Sequence, residues 1–477
     1  MDKEQNTSQR TAFLGTQAIF PLILKMGIPA AVAMIVNALY NIVDTMFVGH
    51  GVGPLAIAAL SIVFPIQMIV SAVAQALGVG AASIVSRRLG EKREKEAASA
   101  IGTAYTAIFI VTALMIFLVM LFMKDILVFF GASESIMPYA QEYLGTIGPG
   151  FFFFAAGMAA SNLVRAEGNA RASMTGMIIG AVCNLILDPV FIFGLGMGVR
   201  GAALATVFSQ LLTCVYLFSL YLTKKTHIPL TLGNFRIKKA ILGEAAVLGA
   251  PAFIQAAGMS VLALVINKSL GHYGGDVAIS IYGTTHRLLS LIIFPILGIV
   301  QGFQPIVGYN YGAKHYDRVK KALYVAVLTV FSLATFFYIL VMAFPQISMS
   351  LFSSDQNFIA ASARVLRVMA FFIPLAAVQI TGATYFQAIG KKTESLMLGL
   401  SRQFLILIPL VLLMPFLMGV DGIWFSFPVA DLVSTCITIF LLLGELKKLR
   451  IMSTPFSVEK VSGITQEGPD FANGSNS

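Results

Sequence analysis

The chain has 477 residues, of which 57% are hydrophobic and 11% charged, with a mean hydropathy of +0.85. An ordinary soluble domain carries about 25% charged residues, so that class is excluded. Apolar segments of helical length, rather than alternating segments of about 10 residues, exclude a transmembrane barrel. A formal net charge of +10 does not point to nucleic acid, because the Lys and Arg are dispersed between apolar segments and form no continuous basic stripe.

Met1 to Thr16 is polar and mixed in charge without a cleavage-like site, so no removable signal peptide is expected. Twelve transmembrane helices follow at about 20–48, 54–85, 97–123, 136–163, 170–193, 200–222, 240–270, 278–306, 319–345, 360–388, 394–418 and 420–446. Several exceed the roughly 20 residues a crossing needs, which implies tilt, kinks or projection beyond the bilayer. From Arg450 to Ser477 the chain is polar, with scattered Gly, Pro and Ser, the composition of a flexible tail. The expected organisation is a polar segment at about 1–19, a first six-helix bundle at 20–222, a linker at 223–239, a second bundle at 240–446 and a tail at 447–477.

Basic residues mark alternate connections. Arg87, Arg88, Lys92, Arg93 and Lys95 follow the second helix, Arg165 and Arg171 border the fourth connection, and Lys224, Lys225, Arg236, Lys238 and Lys239 precede the seventh helix. Lys314, Arg318, Lys320 and Lys321 precede the ninth, and Lys447, Lys448 and Arg450 follow the last. The opposite loops hold Lys124 and Arg200, with Arg364 and Arg367 near the start of the tenth helix as a local exception. The positive-inside rule then puts both termini in the cytoplasm of a multi-pass protein of the inner (plasma) membrane.

An internal repeat runs through the chain at a constant offset of 222: Pro29 matches Pro251, Gly49-His50 matches Gly271-His272, Gly80 matches Gly302, Gly90 matches Gly312 and Gly168 matches Gly390. Gly198-Val199 and Gly201 match Gly419-Val420 and Gly422 after a slip of one residue. Each copy has six helices, an even number, so the copies start on the same side and are related by an axis along the membrane normal. The fold class expected is an all-α integral membrane protein of two pseudo-symmetric bundles that rock about a central cleft.

Asn37, Tyr40, Asn41 and Asp44 interrupt the first apolar helix, with Asn37, Asn41 and Asp44 on one face. A carboxylate in hydrocarbon is costly, so this face is expected to meet protein or water. Asn184 and Asp188 share a face of the fifth helix, Thr206 opens the sixth, and the topology puts Asp44 and Asp188 in the same half of the membrane. Two carboxylates in one apolar pocket must take up a proton or a cation, and Asn184 and Thr206 supply neutral oxygens suited to Na+. The alternative for Asp188 is a turn or cap before Pro189, and for Asp44 exposure at the membrane surface. At the duplicate positions stand Ile266, Ile406, Leu410 and Phe427, so ion chemistry is expected in the first bundle alone.

In the second bundle, Arg287 and Asp431 either pair across helices or sit separately at the interface, and His286 either titrates or is a hydrogen-bonded structural residue. Cys183, Cys214 and Cys436 are far apart without metal spacing and read as small hydrophobes. The 37 Phe and 21 Met give an adaptable apolar wall, into which Gln67, Gln255 and Gln379 would bring amides, with Asn37, Tyr40, Asn41, His286 and Arg287 as further candidates for the cleft lining. Such a cleft suits amphipathic, mainly cationic small molecules, with the central polar groups expected to be largely neutral or acidic. There is no Gly-rich phosphate loop and no domain to hold one, so transport is expected to draw on an ion gradient. Neither a cofactor nor an enzymatic activity is expected, no metal beyond Na+ at Asp44, Asn184, Asp188 and Thr206, no partner but substrate, ion and membrane lipid, and a monomer is expected to suffice.

Several segments together give a resemblance to the multidrug and toxic compound extrusion family, in its prokaryotic branch, over essentially Pro21 to Glu445. They are Pro29 with Asn41-Ile-Val-Asp44-Thr-Met-Phe-Val-Gly49, Arg87-Arg-Leu-Gly90, Arg165-Ala-Glu-Gly168-Asn169, Asn184-Leu-Ile-Leu-Asp188-Pro189, Gly198-Val-Arg-Gly201 and Gly308-Tyr-Asn-Tyr-Gly312. The resemblance implies two six-helix lobes around a V-shaped cleft and export of cationic amphipathic drugs in exchange for H+ or Na+. It places cation-site roles on Asp44, Asn184, Asp188 and Thr206, and bending of the first helix at Pro29. Relatives with an acidic site in the second lobe are not matched, because Gln255, Ser260 and Gln379 stand there without a carboxylate. The wider superfamily includes flippases of lipid-linked precursors, the alternative function, for which a more basic cavity is expected.

Overall fold

The computed structural model describes residues 12–453 except 53, 224, 225, 227, 229 and 352–354. The ends of the polar N-terminal segment and of the tail lie outside the described residues, as do the side chains of Asn37, Asn41 and Ser260. Among the described residues every regular element is helical. The crossings are α1 (Ile19–Gly51), α2 (Pro54–Gly90), α3 (Glu94–Leu121), α4 (Met137–Ala166), α5 (Ala170–Gly194) and α6 (Gly198–Leu222). The second set is α7 (Lys239–Gly275), α8 (Val277–Gly312), α9 (Tyr316–Ala343), α10 (Gln356–Ala370 with Ile373–Ala388), α11 (Lys392–Met418) and α12 (Val420–Ser453). They form the two six-helix bundles anticipated from the repeat.

Length and breaks follow from composition. The 33 residues of α1 and 37 of α2 make rods of about 50–55 Å at 1.5 Å per residue, well beyond a hydrocarbon core of about 30 Å. Pro29 lies within α1 without interrupting it, but its missing N–H leaves the Lys25 carbonyl without a helical donor, a built-in weak point. α10 bends by 44° at Phe371-Phe372, just before Pro374. α5 ends in a π-helical turn, Val190–Gly194, and α11 contains another at Ser401–Leu407. Between α7 and α8 the chain reverses at Gly275, whose φ of 67° and ψ of −168° suit only glycine.

The repeat is written into the backbone as well as the sequence. Lys92 and Lys314 adopt left-handed φ values of 59° and 61°, and Gly168 and Gly390 adopt 92° and 80°, each pair after corresponding helices. Gly198 and Gly419, the pair displaced by one residue, have φ of 56° and 59°. A left-handed residue ends a helix by turning the chain away from its axis, so the same stops recur in both copies.

The bundles meet through glycines related by the repeat. A Cβ on Gly249 of α7 would lie 1.8 Å from the Ala76 carbonyl oxygen of α2, and one on Gly27 of α1 would lie 2.8 Å from the Cα of Ile299 of α8. These approaches, together with the Arg87–Glu244 ion pair of 2.8 Å and the 2.6 Å hydrogen bond from Ser83 Oγ to the Gln387 carbonyl, all lie toward the end of the molecule that bears the termini. There one apolar core runs through both bundles, while the far half of the first bundle has a core of its own. The bundles are thus sealed at the terminal side.

Candidate functional site

A chamber of about 860 Å³ lies along the first bundle, closed on its opposite side by α8. Ala30, Met34, Tyr40 and Asp44 of α1, Phe64, Gln67, Ser71 and Gln75 of α2, and Phe154, Met158, Asn162 and Arg165 of α4 form much of its wall. Asn184 of α5, Thr206 and Gln210 of α6, and Arg287, Phe294 and Gln301 of α8 complete it. The aromatic and thioether groups supply an adaptable apolar surface, and the amides and charges supply orientation.

At the end remote from the termini, four polar groups converge from three helices. The Asp44 and Asp188 carboxyl groups are in hydrogen-bond contact. Asn184 Nδ2 donates to Asp188 Oδ1 at 3.3 Å and to Thr206 Oγ1 at 3.4 Å. Asp188 is fully buried, with Asn184 and Thr206 nearly so, and α5 presents Asn184 and Asp188 together because they are one turn apart. No salt bridge reaches either acid among the described residues, and Asp44 Oδ1, Asp188 Oδ2 and Asn184 Oδ1 are buried without a hydrogen-bond partner. Two carboxyl groups in contact cannot both be charged without something between them, so the pair has to hold a proton or a cation. The three unpartnered oxygens are the acceptors such an ion would meet.

The opposite end has a different chemistry. Arg165, only 7% exposed, donates from Nη1 to Gln301 Oε1 and from Nη2 to Asn162 Oδ1 at 3.1 Å. Asn162 Nδ2 donates to Gln75 Oε1 at 3.0 Å, and Gln301 Nε2 reaches the Met34 sulfur at 3.4 Å. The chain of groups joins α1, α2, α4 and α8, and so spans both bundles. Arg165 entered the sequence reading as a topology signal and as the start of the Arg165-Ala-Glu-Gly168-Asn169 segment, not as a cleft residue. Its spacing with Asn162, Met158 and Phe154 along one face of α4 was the available clue to a chamber residue.

Other expected positions divide. Tyr40, Gln67 and Arg287 stand on the chamber wall with Asp44, Asn184 and Thr206. Gln255 is exposed elsewhere, Gln379 is turned into the second bundle to donate to the Leu398 carbonyl at 3.1 Å, and His286 approaches Ser290 on its own helix; none of the three lines the chamber. Asp431 pairs with Arg402, Nε to Oδ1 at 2.5 Å, and not with Arg287. The π-helical turn in α11 carries Arg402 to Asp431 of α12, whereas Arg287 on α8 faces the chamber. Arg287 stands on the wall as expected, and Arg165 adds a second guanidinium to a cleft whose polar groups were expected to be largely neutral or acidic.

A duplicated helical membrane protein with a ligand-sized chamber and an uncompensated acid pair at its wall has the build of a secondary transporter. The MatE family model matches residues 29–190 and 251–456, two segments whose first residues, Pro29 and Pro251, are partners in the repeat. The chain belongs to the MatE family, the multidrug and toxic compound extrusion transporters. It is 25% identical over 413 residues to the multidrug export protein MepA of Staphylococcus aureus, covering 87% of this chain and 91% of that one. It is 28% identical over 426 residues to the FAD transporter of Shewanella oneidensis, covering 86% and 92%. Among solved structures, the outward-facing conformation of a multidrug resistance MATE family transporter of the MOP superfamily superposes with a TM-score of 0.86 at 25% identity, over 92% of this chain and 98% of that one.

Proposed function

We propose that this transporter is an antiporter that exports amphipathic, mainly cationic organic compounds in exchange for H+, with Na+ as the alternative ion. The observation that carries this reading is the contact of Asp44, on the chamber wall, with the fully buried Asp188 behind it, and no salt bridge reaches either acid among the described residues. A site that must borrow its neutralising charge is a site where a gradient can act, because occupancy and conformation become linked. The names of MepA and its relatives as multidrug export proteins support the substrate class.

With the termini in the cytoplasm of the inner membrane, as the distribution of Lys and Arg argues, the sealed side is the cytoplasmic one and the chamber faces outward. In this cycle, the ion enters from outside and neutralises the acid pair. α1 then rearranges about Pro29, where its hydrogen-bond ladder is already incomplete, and substrate is released. Proteoliposomes with an imposed pH or Na+ gradient test it: Asp44→Asn and Asp188→Asn each insert normally and lose ion-driven dye efflux. Efflux equal to the wild type from both variants rejects the reading.

A second reading, a flippase for a lipid or polyprenyl-linked precursor, draws support from Arg165 and Arg287 in the wall. Protein-dependent lipid scrambling without dye efflux would select it.

A further inference from the structure

The guanidinium of Arg165 lies at the end of the chamber nearest the termini, and its partners are amides only: Gln301 Oε1 and Asn162 Oδ1. No salt bridge reaches it among the described residues, and its neighbourhood contributes burial and no compensating charge. One turn along α6 from Thr206, Gln210 lines the same chamber with both atoms of its amide buried and unpartnered. A buried cation without a counter-charge is as costly as a buried anion, and this one stands on the wall of a ligand-sized chamber, at its closed end. Its amide partners hold the planar fork in place but leave its charge open. Carboxylate and phosphate oxygens are the groups a guanidinium fork matches.

We infer that Arg165 is a ligand-binding residue that receives a carboxylate or phosphate oxygen of the transported molecule, so that the chamber takes amphiphiles with an anionic group at this end. Such a ligand lies lengthwise between Phe64, Phe154 and Phe294, its oxyanion on Arg165 and any cationic group toward Asp44. The amide of Gln210 is placed to meet polar atoms between the two ends. The inference rests on the reading of this chamber as the substrate site. It changes the substrate class from cations to zwitterions and acids with an aromatic or apolar body.

A matched pair of rhodamine dyes tests it: one with a free carboxylate, the other its ethyl ester, which is a simple cation. Binding is measured by fluorescence polarisation to the full chain in phosphatidylcholine nanodiscs without any ion gradient. The wild type is expected to bind the free acid about tenfold tighter than the ester, the scale of one charge-assisted hydrogen-bonded contact. Arg165→Gln brings the ratio to about one, and Arg165→Lys restores part of it. Equal affinities in the wild type, or a preference that survives Arg165→Gln, overturn the inference. Should Arg165→Gln fail to insert, Gln301→Leu frees Nη1 and keeps the preference at or above the wild-type value; a ratio of one there overturns it too. Nanodiscs containing phosphatidylglycerol separate the two sources of oxyanion, since suppression of the acid preference assigns the site to a lipid phosphate and an unchanged ratio to the soluble ligand. If neither dye binds, both this inference and the chamber as substrate site fall. Equal binding of the two removes only the inference.

Discussion

The two bundles descend from one pattern and treat buried charge in opposite ways. In the first, Asp44 on the chamber wall touches the buried Asp188, and no basic side chain among the described residues neutralises them. In the second, Asp431 is buried against Arg402, and the positions equivalent to the acid pair hold Ile266 and Leu410, the former fully buried. Conversely, the first-bundle equivalents of Arg402 and Asp431 are Gly180 and Gln210, both on the chamber wall. The duplicated scaffold fixes where helices stop and how closely the bundles approach. In the proposed exchange cycle, what matters instead is whether a buried charge is compensated internally: a carboxylate with its own guanidinium has no need of an ion from solution, while a carboxyl pair has.

The largest expected effect comes from moving the acid. The double variant Asp44→Ile with Ile266→Asp keeps composition and repeat position but transfers one carboxyl away from Asp188. Its efflux under a pH gradient is expected to fall to that of protein-free liposomes, and retained efflux would break the contrast between the bundles. Next comes the compensated pair. Asp431→Leu alone leaves Arg402 without its partner and should cost about 3–5 kcal/mol, whereas Asp431→Leu with Arg402→Met should come within about 1–2 kcal/mol of the wild type. Thermal unfolding in detergent measures both, and a single variant as stable as the double would show that Arg402 is compensated by another group.

Much of this was legible in the sequence because hydrophobic length and offset report it directly. Twelve crossings, the repeat beginning at Pro29 and Pro251, and a shared half of the membrane for Asp44 and Asp188 all follow from counting along the chain. Asn184 and Asp188 were readable as a pair because one helix sets their separation. Partners on different helices were not readable, since rotation about each axis decides them. The π-helical turn that delivers Arg402 to Asp431 has no sequence signature of its own. Arg165 was hidden for another reason: a basic residue at a helix end satisfies the topology rule, and its burial emerges only when α8 brings Gln301 across.

The approach of the bundles sharpens the comparison from a third side, because here the two copies behave alike. Gly249→Ala puts a methyl group 1.8 Å from the Ala76 carbonyl oxygen, and parting the helices to admit it costs about 1–3 kcal/mol. The sealed state then loses about tenfold or more in population. Ser86 is fully buried within this seam, so the rate at which a maleimide labels Ser86→Cys in a cysteine-free background reports it. Faster labelling with Gly249→Ala is the expected outcome. Gly27→Ala, the repeat-related change, should act in the same direction, and a response from only one of the two would show that the seam is not symmetric.

The smallest effect separates the two ions. A proton needs only the carboxyl pair, but Na+ needs several oxygens at once, and Thr206 Oγ1 is a neutral hydroxyl 3.4 Å from the Asn184 amide nitrogen. Thr206→Val keeps the shape and removes that oxygen, together with the long contact from Asn184 Nδ2. If H+ is the coupled ion, the loss is that of one weak neutral hydrogen bond, about 0.5–1 kcal/mol, so efflux under a pH gradient should change by no more than about threefold to fivefold. If Na+ is coupled, the site has lost a ligand, and the Na+ concentration that drives half-maximal efflux should rise while the pH-driven rate was low from the start. Measuring the same variant under each gradient in turn therefore assigns the ion, and it does so at a member of the site whose removal leaves both carboxyl groups and the Asn184 amide in place.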